Sequence, residues 1–487
     1  MQHWFFEQDI PERHHWNQAM LLETAQPLDV KVLQEVLQQL MRHHDALRLR
    51  FVRETTGWRQ FYAEAEETGT GAEEEEAEAG TPLVERVDVS ALPRHEQDTV
   101  IQDLAASRQG SLNLSEGPLV RLVFFDCGLQ PGRLLFTIHH LVVDAVSWRI
   151  LLEDFQTAYQ QRSQGAAIAL PAKTTSLQYW SERLSEYAQH PDLEQEMAFW
   201  SAPIRTRVRS LPLDYPEGQN RVASLRSVAV TLSADRTQAL LHEVPQVART
   251  EVNEVLLTAL TQVVTQWSGS PLLLVEQEGH GREPLFDDVD LSRTVGWFTA
   301  VYPVVLDVAN LDDPGAVVSS VRQQLRRVPH RGIGYGALRY LSQSDQIAHL
   351  LRSLPQAEVS FLYLGQLDQA PTDHAFLTML PDADLPTRSP EGMRKHLFEI
   401  SAMVQRGQLH VEWRYSANLH RPRTIEMLAE RYLEALSRLI DHCRSSEVGD
   451  GTPADLSLAG LNMQQLSQVS RLLEEIDTLN LPEEPGI

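Results

Sequence analysis

Two adjacent histidines, His139 and His140, with Asp144 four positions beyond the second, close an apolar run, Leu134-Leu-Phe-Thr-Ile138. The run is short enough for a buried strand, and after it Trp148, Leu151, Leu152, Phe155 and Tyr159 recur at helical spacing. The histidine pair therefore sits where a buried strand gives way to a loop, which exposes a side chain while the strand holds its base. An imidazole so placed suits proton transfer, because its ordinary pKa is nearest to neutral. In the second half, Pro271-Leu-Leu-Leu-Val275 reads as another buried strand that runs out at Glu278-Gly-His-Gly-Arg-Glu283. Each half thus has an apolar strand that delivers ionisable residues at its end.

A structural reading stands beside each of these. Histidines near a core are usually structural, and His14-His15 and His43-His44 are adjacent pairs too, the latter followed at once by Asp45. Val32, Leu33, Val36, Leu37, Leu40 and Met41 form a helical stripe, which places His43 and His44 at a frayed helix end. Polar or cationic residues there suit the helix dipole and need no catalytic explanation. From its local sequence alone Glu278 reads first as a solvated loop carboxylate, the usual fate of a glutamate.

The elements that position these residues follow one grammar in both halves. A helix over Asp29–His43 leads into a half-buried strand with Leu47, Leu49 and Phe51 on one side. Strands are expected near 81–89, 118–126 and 133–138, and a helix ends near Gln161. Arg162–Thr175, rich in Ala, Gly, Ser and Pro, reads as the inter-domain linker. Then come a helical stripe (Leu177, Trp180, Leu184, Tyr187), a strand over Ser227–Leu232, and a helix from about Asn253 to Trp267 that Gly269 stops. These signals divide the chain into a lobe over 1–170, a lobe over 171–450, and a linker or docking tail over 451–487. The tail carries one amphipathic stripe (Leu466, Val469, Leu473, Ile476).

Bulk properties bound the function. The 487 residues suit two or three domains. A hydrophobic share of 42% with 22% charged residues is ordinary for a globular protein with a sizeable core. The formal net charge of −25 argues against binding nucleic acid or an anionic membrane. Eight glutamates between Glu64 and Glu78 read as a solvated insertion in a surface loop, about 63–80. Cys127 and Cys443 lack metal-ligand or redox spacing and read as cytoplasmic free thiols, and no metal site is expected. No membrane span is expected either. The opening Met1-Gln-His-Trp-Phe-Phe-Glu-Gln8 lacks the features of a secretory signal and reads like a sequence entered midway.

Taken together, the motifs resemble the condensation superfamily of nonribosomal peptide synthetases, and within it the epimerization domains. The resemblance rests on His139, His140 and Asp144 as His-His-x-x-x-Asp, continued by Ala145-Val-Ser-Trp-Arg-Ile-Leu151. It rests also on Trp4-Phe-Phe-Glu-Gln8, Glu278-Gly-His-Gly-Arg-Glu283, and Arg293-Thr-Val-Gly-Trp-Phe-Thr299 with Tyr302-Pro303. Gly332-Ile-Gly-Tyr-Gly336 and Tyr363-Leu-Gly-Gln366 complete the order.

The resemblance implies an α/β fold of two-layer sandwich lobes, a pseudo-dimer like chloramphenicol acetyltransferase, with the lobes in a V around a central tunnel. It implies a substrate held as a thioester on the 4'-phosphopantetheine arm of a peptidyl carrier protein, with neighbouring synthetase domains as partners and no directly bound cofactor. The excised domain would be a cytoplasmic monomer. The reaction would be inversion of the α-carbon, L to D, with His140 and Glu278 as the catalytic pair. A proton alpha to a thioester is weakly acidic, so its removal needs a close base and a stabilised enolate, and inversion needs a proton returned on the other face. Asp144 is expected to pair with Arg282 across the lobes, because burying either charge alone is costly. His139 is expected to pack behind His140, and Trp148 and Trp297 to fill core. Gly279 and Gly281 suit a tight loop, while His280 and Glu283 read equally well as structural. Tyr363 is a candidate for positioning substrate, although Leu362 stands where the family usually has Asn. A condensation catalyst that forms a peptide bond, and an inactive docking platform, are the alternatives.

Overall fold

The computed structural model describes residues 1–55, 57–64, 82–308, 313–366, 376–380, 385 and 387–445. The expected acidic insertion lies almost wholly outside the described residues, and the expected tail lies wholly outside them. The first half contributes strands β1 (Asn17–Thr24), β2 (Leu49–Glu54), β3 (Gly57–Tyr62), β4 (Val84–Asp88), β5 (Val120–Asp126) and β6 (Gly132–His139). The second half contributes β7 (Leu225–Thr231), β8 (Leu272–Gly279), β9 (Ala300–Asp307), β10 (Val359–Gln366), β11 (Leu377–Met379), β12 (Phe398–Gln405) and β13 (Gln408–Ser416).

Among the described residues these strands make two large sheets, ordered β11-β1-β6-β5-β4 and β7-β13-β12-β10-β8-β9, with β2 and β3 as a separate hairpin. The apolar run that ends in the histidines is the central strand of the first sheet. It pairs antiparallel with β1 on one side and β5 on the other. Leu134, Leu135, Phe136 and Ile138 are all buried because both faces of the sheet are covered. The helix Ala145–Ser163 carries the expected stripe and begins one turn before its first member, Trp148. Asp144 caps it, its Oδ1 accepting the Ser147 N–H at 2.7 Å, and Trp148, Leu151, Phe155 and Tyr159 pack against the sheet. In the second lobe, the helices Val252–Ser268 and Pro422–Ser445 bury their apolar faces in the core under the six-stranded sheet. The longest helix among the described residues is not apolar enough to cross a membrane, and neither is any other.

Three features depart from the sequence-based division. First, the second half returns to the first lobe: β11 pairs with β1, Arg388 bridges Trp16, and Phe376, Leu377, Leu380 and Leu385 pack in the first lobe's cores. A three-residue strand has too little alternation to announce itself in a sequence. Second, the linker is pinned to both halves. Lys173 Nζ lies 3.0 Å from Asp45 Oδ1, and the Thr294 hydroxyl donates to the Thr175 carbonyl at 2.6 Å. Third, His44 is buried rather than frayed, with Nε2 3.0 Å from Asp154 Oδ2. Arg293 binds the other oxygen of Asp154, so this cluster ties two helices to the 293–301 segment. His43, His44 and Asp154 are the one metal-like grouping among the described residues, and Arg293 already supplies the positive charge Asp154 needs.

The N-terminal helix Gln2–Glu7 adds a latch between the lobes. Glu7 accepts hydrogen bonds from Arg339 at 2.9 Å, Tyr340 at 3.0 Å and Arg352 at 2.9 Å. The carboxylate is about one-third exposed, so solvent screens the cluster. Glu7→Ala is therefore expected to destabilise the fold by about 1 kcal/mol in a denaturant melt.

Candidate active site

The two histidines leave β6 on opposite faces. His139 is fully buried, donates from Nε2 to the Arg13 carbonyl at 2.8 Å, and accepts the Leu141 N–H on Nδ1 at 3.2 Å. Burial pushes its pKa down to about 3, so it stays neutral and holds the turn. His140 is half-buried in the loop beyond the strand. Its Nδ1 lies 2.9 Å from the Val143 carbonyl oxygen, and its Nε2 lies 3.0 Å from Gln18 Nε2. Trp297 stacks on the imidazole face at a centroid distance of 4.0 Å and 27°. Burial pulls the His140 pKa down to about 4 against the opposing effect of its backbone hydrogen bonds, and the Arg388 charge adds to the fall.

Glu278 stands near the end of β8, paired with Val301 of β9. Its carboxyl is open to contact by a water molecule but is surrounded by protein at longer range, which removes most of the bulk solvation an anion needs. That loss, reinforced by the charge of Glu276, raises its pKa to about 7 despite Arg388 and Lys395. Glu276 lies two residues earlier on the same face of the strand and behaves oppositely. Burial alone would raise it, but His396, 3.0 Å away, and Lys395 in direct contact bring it down to about 2. After Glu278 the chain turns sharply at Gly281, where φ is +67° and a β-carbon would stand 1.7 Å from the Phe298 carbonyl oxygen. Only glycine fits that approach. His280 accepts the Arg282 N–H at 3.0 Å and lies 3.2 Å from Glu283, a local arrangement at the loop surface.

The two motifs are clamped together four residues beyond each candidate group. Arg282 donates to both oxygens of Asp144, at 3.0 and 3.2 Å, and also to the Ser147 hydroxyl and the Leu291 and Thr294 carbonyls. Asp144 in turn accepts the Phe298 N–H at 3.1 Å, and Ser147 exchanges hydrogen bonds with Gly296. The clamped stretch runs from Trp297, stacked on His140, to Val301, paired with Glu278. The four residue-to-residue steps between them reach at most ~14 Å when fully extended. A second path runs from Trp297 to the neighbouring Glu276: Trp4 meets Trp297 edge-on at 5.8 Å, and Lys395, bound to Glu276, lies over Trp4.

Three of these neighbours lay outside the sequence reading. Trp297 packs against the first lobe's core as expected, and its ring also forms a face of the site. Gln18 lies in β1, a strand that was not expected, and carried no signal of its own. Arg388 arrives from the second half through its bridge with Trp16, over whose ring its guanidinium lies at 4.1 Å, and its charge acts on both His140 and Glu278. Tyr363 departs from expectation. In β10, Ser360 and Phe361 pair with Glu276 and Gln277. Alternation then puts Leu362 on the Glu278 face and turns half-buried Tyr363 toward the second core.

The family model for the condensation domain matches residues 1–450. The chain belongs to the condensation-domain family. Among curated relatives, this condensation-family chain is 43% identical over 472 residues to one protein of the linear gramicidin synthase of Brevibacillus parabrevis, covering 96% of the chain and 6% of that protein. It is 40% identical over 481 residues to chondramide synthase cmdD of Chondromyces crocatus, covering 96% of the chain and 12% of that protein. It therefore spans a small fraction of the length of both. Among solved structures, the epimerization domain from the third module of tyrocidine synthetase B superposes with a TM-score of 0.80 at 34% identity, covering 90% of this chain and 94% of that one. The X-domain from teicoplanin biosynthesis shares the fold at 18% identity, with a TM-score of 0.67 and coverage of 90% and 93%. The fold is thus the α/β condensation-domain fold.

Within this condensation-family domain the buried Asp144–Arg282 pair is the test of the site's architecture. Asp144→Ala leaves the guanidinium buried without its carboxylate, which costs about 3–5 kcal/mol. The double variant Asp144→Ala/Arg282→Met is expected to recover part of that loss in a denaturant titration.

Proposed function

We propose that this domain inverts the α-carbon of an aminoacyl or peptidyl thioester carried on the phosphopantetheine arm of a peptidyl carrier protein, within a cytoplasmic nonribosomal peptide synthetase. The observation that carries this reading is a carboxyl held near pKa 7, Glu278, joined through five residues of one clamped segment to a neutral imidazole, His140. The likeness to a solved epimerization domain supports it.

The chemistry needs one proton shared by two groups. At neutral pH the imidazole is neutral and the carboxyl is close to half-protonated. A neutral His140 takes the α-proton from one face, and the C–H electron pair moves into the thioester carbonyl as an enolate. Glu278 as a carboxylic acid then delivers its proton to the opposite face, leaving a carboxylate and an imidazolium. The reverse inversion starts from that charged form, which carries the same number of protons. The guanidinium of Arg388 is suited to steady the enolate charge.

One residue favours a second reading. Leu362 brings no hydrogen-bond donor to the Glu278 face, as an inactive docking platform would tolerate. A peptide-bond-forming domain would in turn need His140 but not Glu278. Loss of α-deuterium from a carrier-bound substrate without an acceptor separates the three: washout supports inversion, peptide formation on adding an acceptor supports condensation, and neither supports docking. His140→Ala and Glu278→Gln are each expected to slow washout by about 10²–10⁴-fold while carrier binding persists.

The pH profile gives a second check. The pair holds one proton between its two apparent pKa values, about 4 and about 7. Washout should therefore fall below about pH 4, where the imidazole charges, and above about pH 7, where the carboxyl ionises. A rate that keeps rising through pH 7 would mean that Glu278 works alone as a base.

A further inference from the structure

The two nitrogens of His140 belong to a hydrogen-bond chain whose polarity is set from its far end. The Trp148 indole N–H can only donate, and it lies 2.7 Å from Gln18 Oε1. That contact orients the carboxamide, so the group facing His140 Nε2 at 3.0 Å is the Gln18 NH2, which also can only donate. His140 Nε2 is left to accept, and the ring proton is assigned to Nδ1, 2.9 Å from the Val143 carbonyl, which can only accept. Every member is satisfied in this one arrangement. A proton on Nε2 would point at the Gln18 NH2, and turning the carboxamide over would point NH2 at the indole N–H instead.

We propose that Gln18, locked by Trp148, is a positioning residue that holds His140 as the neutral Nδ1–H tautomer and presents the Nε2 lone pair. The register supports the placement. Gln18 and Ile138 are paired across β1 and β6, and the Trp16 carbonyl accepts the His140 N–H, so Trp16, Gln18 and His140 share one face. The lone pair is covered by a single neutral hydrogen bond, which an approaching α-proton displaces. The charged groups that face the ring are Arg388, which opposes imidazolium, and Asp144, which favours it. His139 behind the ring stays neutral, Trp297 on its face carries no charge, and in the proposed reaction Glu278 stands on the substrate's other side. The catalytic consequence rests on the epimerization reading, whereas the tautomer does not.

The test is ¹⁵N NMR of the His140 ring in the whole domain from pH 5 to 8, assigned by its loss in His140→Ala, beside α-deuterium washout. The wild type should show a protonated Nδ1 and an unprotonated Nε2 throughout. Gln18→Glu supplies an acceptor for both the indole and a protonated Nε2, so its ring should be imidazolium at pH 7 and washout there should fall at least tenfold. Gln18→Met removes the donor, and Trp148→Phe lets the carboxamide turn over. Both should raise the midpoint by less than Gln18→Glu, and they carry the test if a glutamate at this position prevents folding. A wild-type proton on Nε2, or ring titrations in these variants identical to the wild type, overturns the proposal. The predicted ring states without washout in the wild type would instead sink the epimerization reading and leave the tautomer standing.

Discussion

A single buried ion pair, Asp144 with Arg282, holds the site together. Each partner sits four residues beyond a candidate group, and both side chains are almost wholly withdrawn from solvent. Buried pairs of this kind are weak sources of net stability, because two desolvation penalties offset the attraction. Their effect is on specificity of arrangement. Asp144 caps the helix after His140 and accepts the Phe298 N–H, and Arg282 fills the Leu291 and Thr294 carbonyls. The loops carrying His140 and Glu278 are thereby referred to one common segment. Other contacts also join the two halves, among them Asp154 with Arg293 and Trp16 with Arg388, but this pair is the one that ties the His140 motif directly to the Glu278 motif.

On that frame the protein separates two carboxylates in one strand. Glu276 and Glu278 share a face of β8, yet one is held near pKa 2 and the other near 7. Contact explains the split. Lys395 and His396 compensate the first, while the second has lost bulk water without gaining a direct partner among the described residues and feels its charged neighbour besides. Two groups pushed apart in this way can take different roles in proton transfer. The imidazole side is tuned by similar means, through burial, Arg388 and a donor-only neighbour. Both shifts favour a form of the site in which the imidazole is neutral.

Much of the fold was legible along the chain. The strand ending at His139, the striped helix that follows it, and the helix stopped by Gly269 each follow from local pattern, because a strand buried on both faces needs a continuous apolar run and a helix needs a stripe. The candidate pair was legible for a related reason, since ionisable residues directly after buried strands stand out against their surroundings. His44 misled because its helical stripe ends correctly, while its partner Asp154 is more than a hundred residues away. Tyr363 misled because a motif names residues without saying which face of a strand each occupies.

By itself, then, the sequence determined the principal strands and helices around the candidate pair, which ionisable residues stand at their ends, and which family they match. These are properties of neighbours in the chain. Tertiary structure alone decided the electrostatics and the company each group keeps: Trp297 against the imidazole, Gln18 on its nitrogen, Arg388 arriving from the far half, and Lys395 claiming Glu276 rather than Glu278. The physical reason is range. Periodicity and capping act within a few residues, whereas desolvation, charge and hydrogen-bond polarity depend on whatever the fold brings within a few ångströms, however distant in the chain.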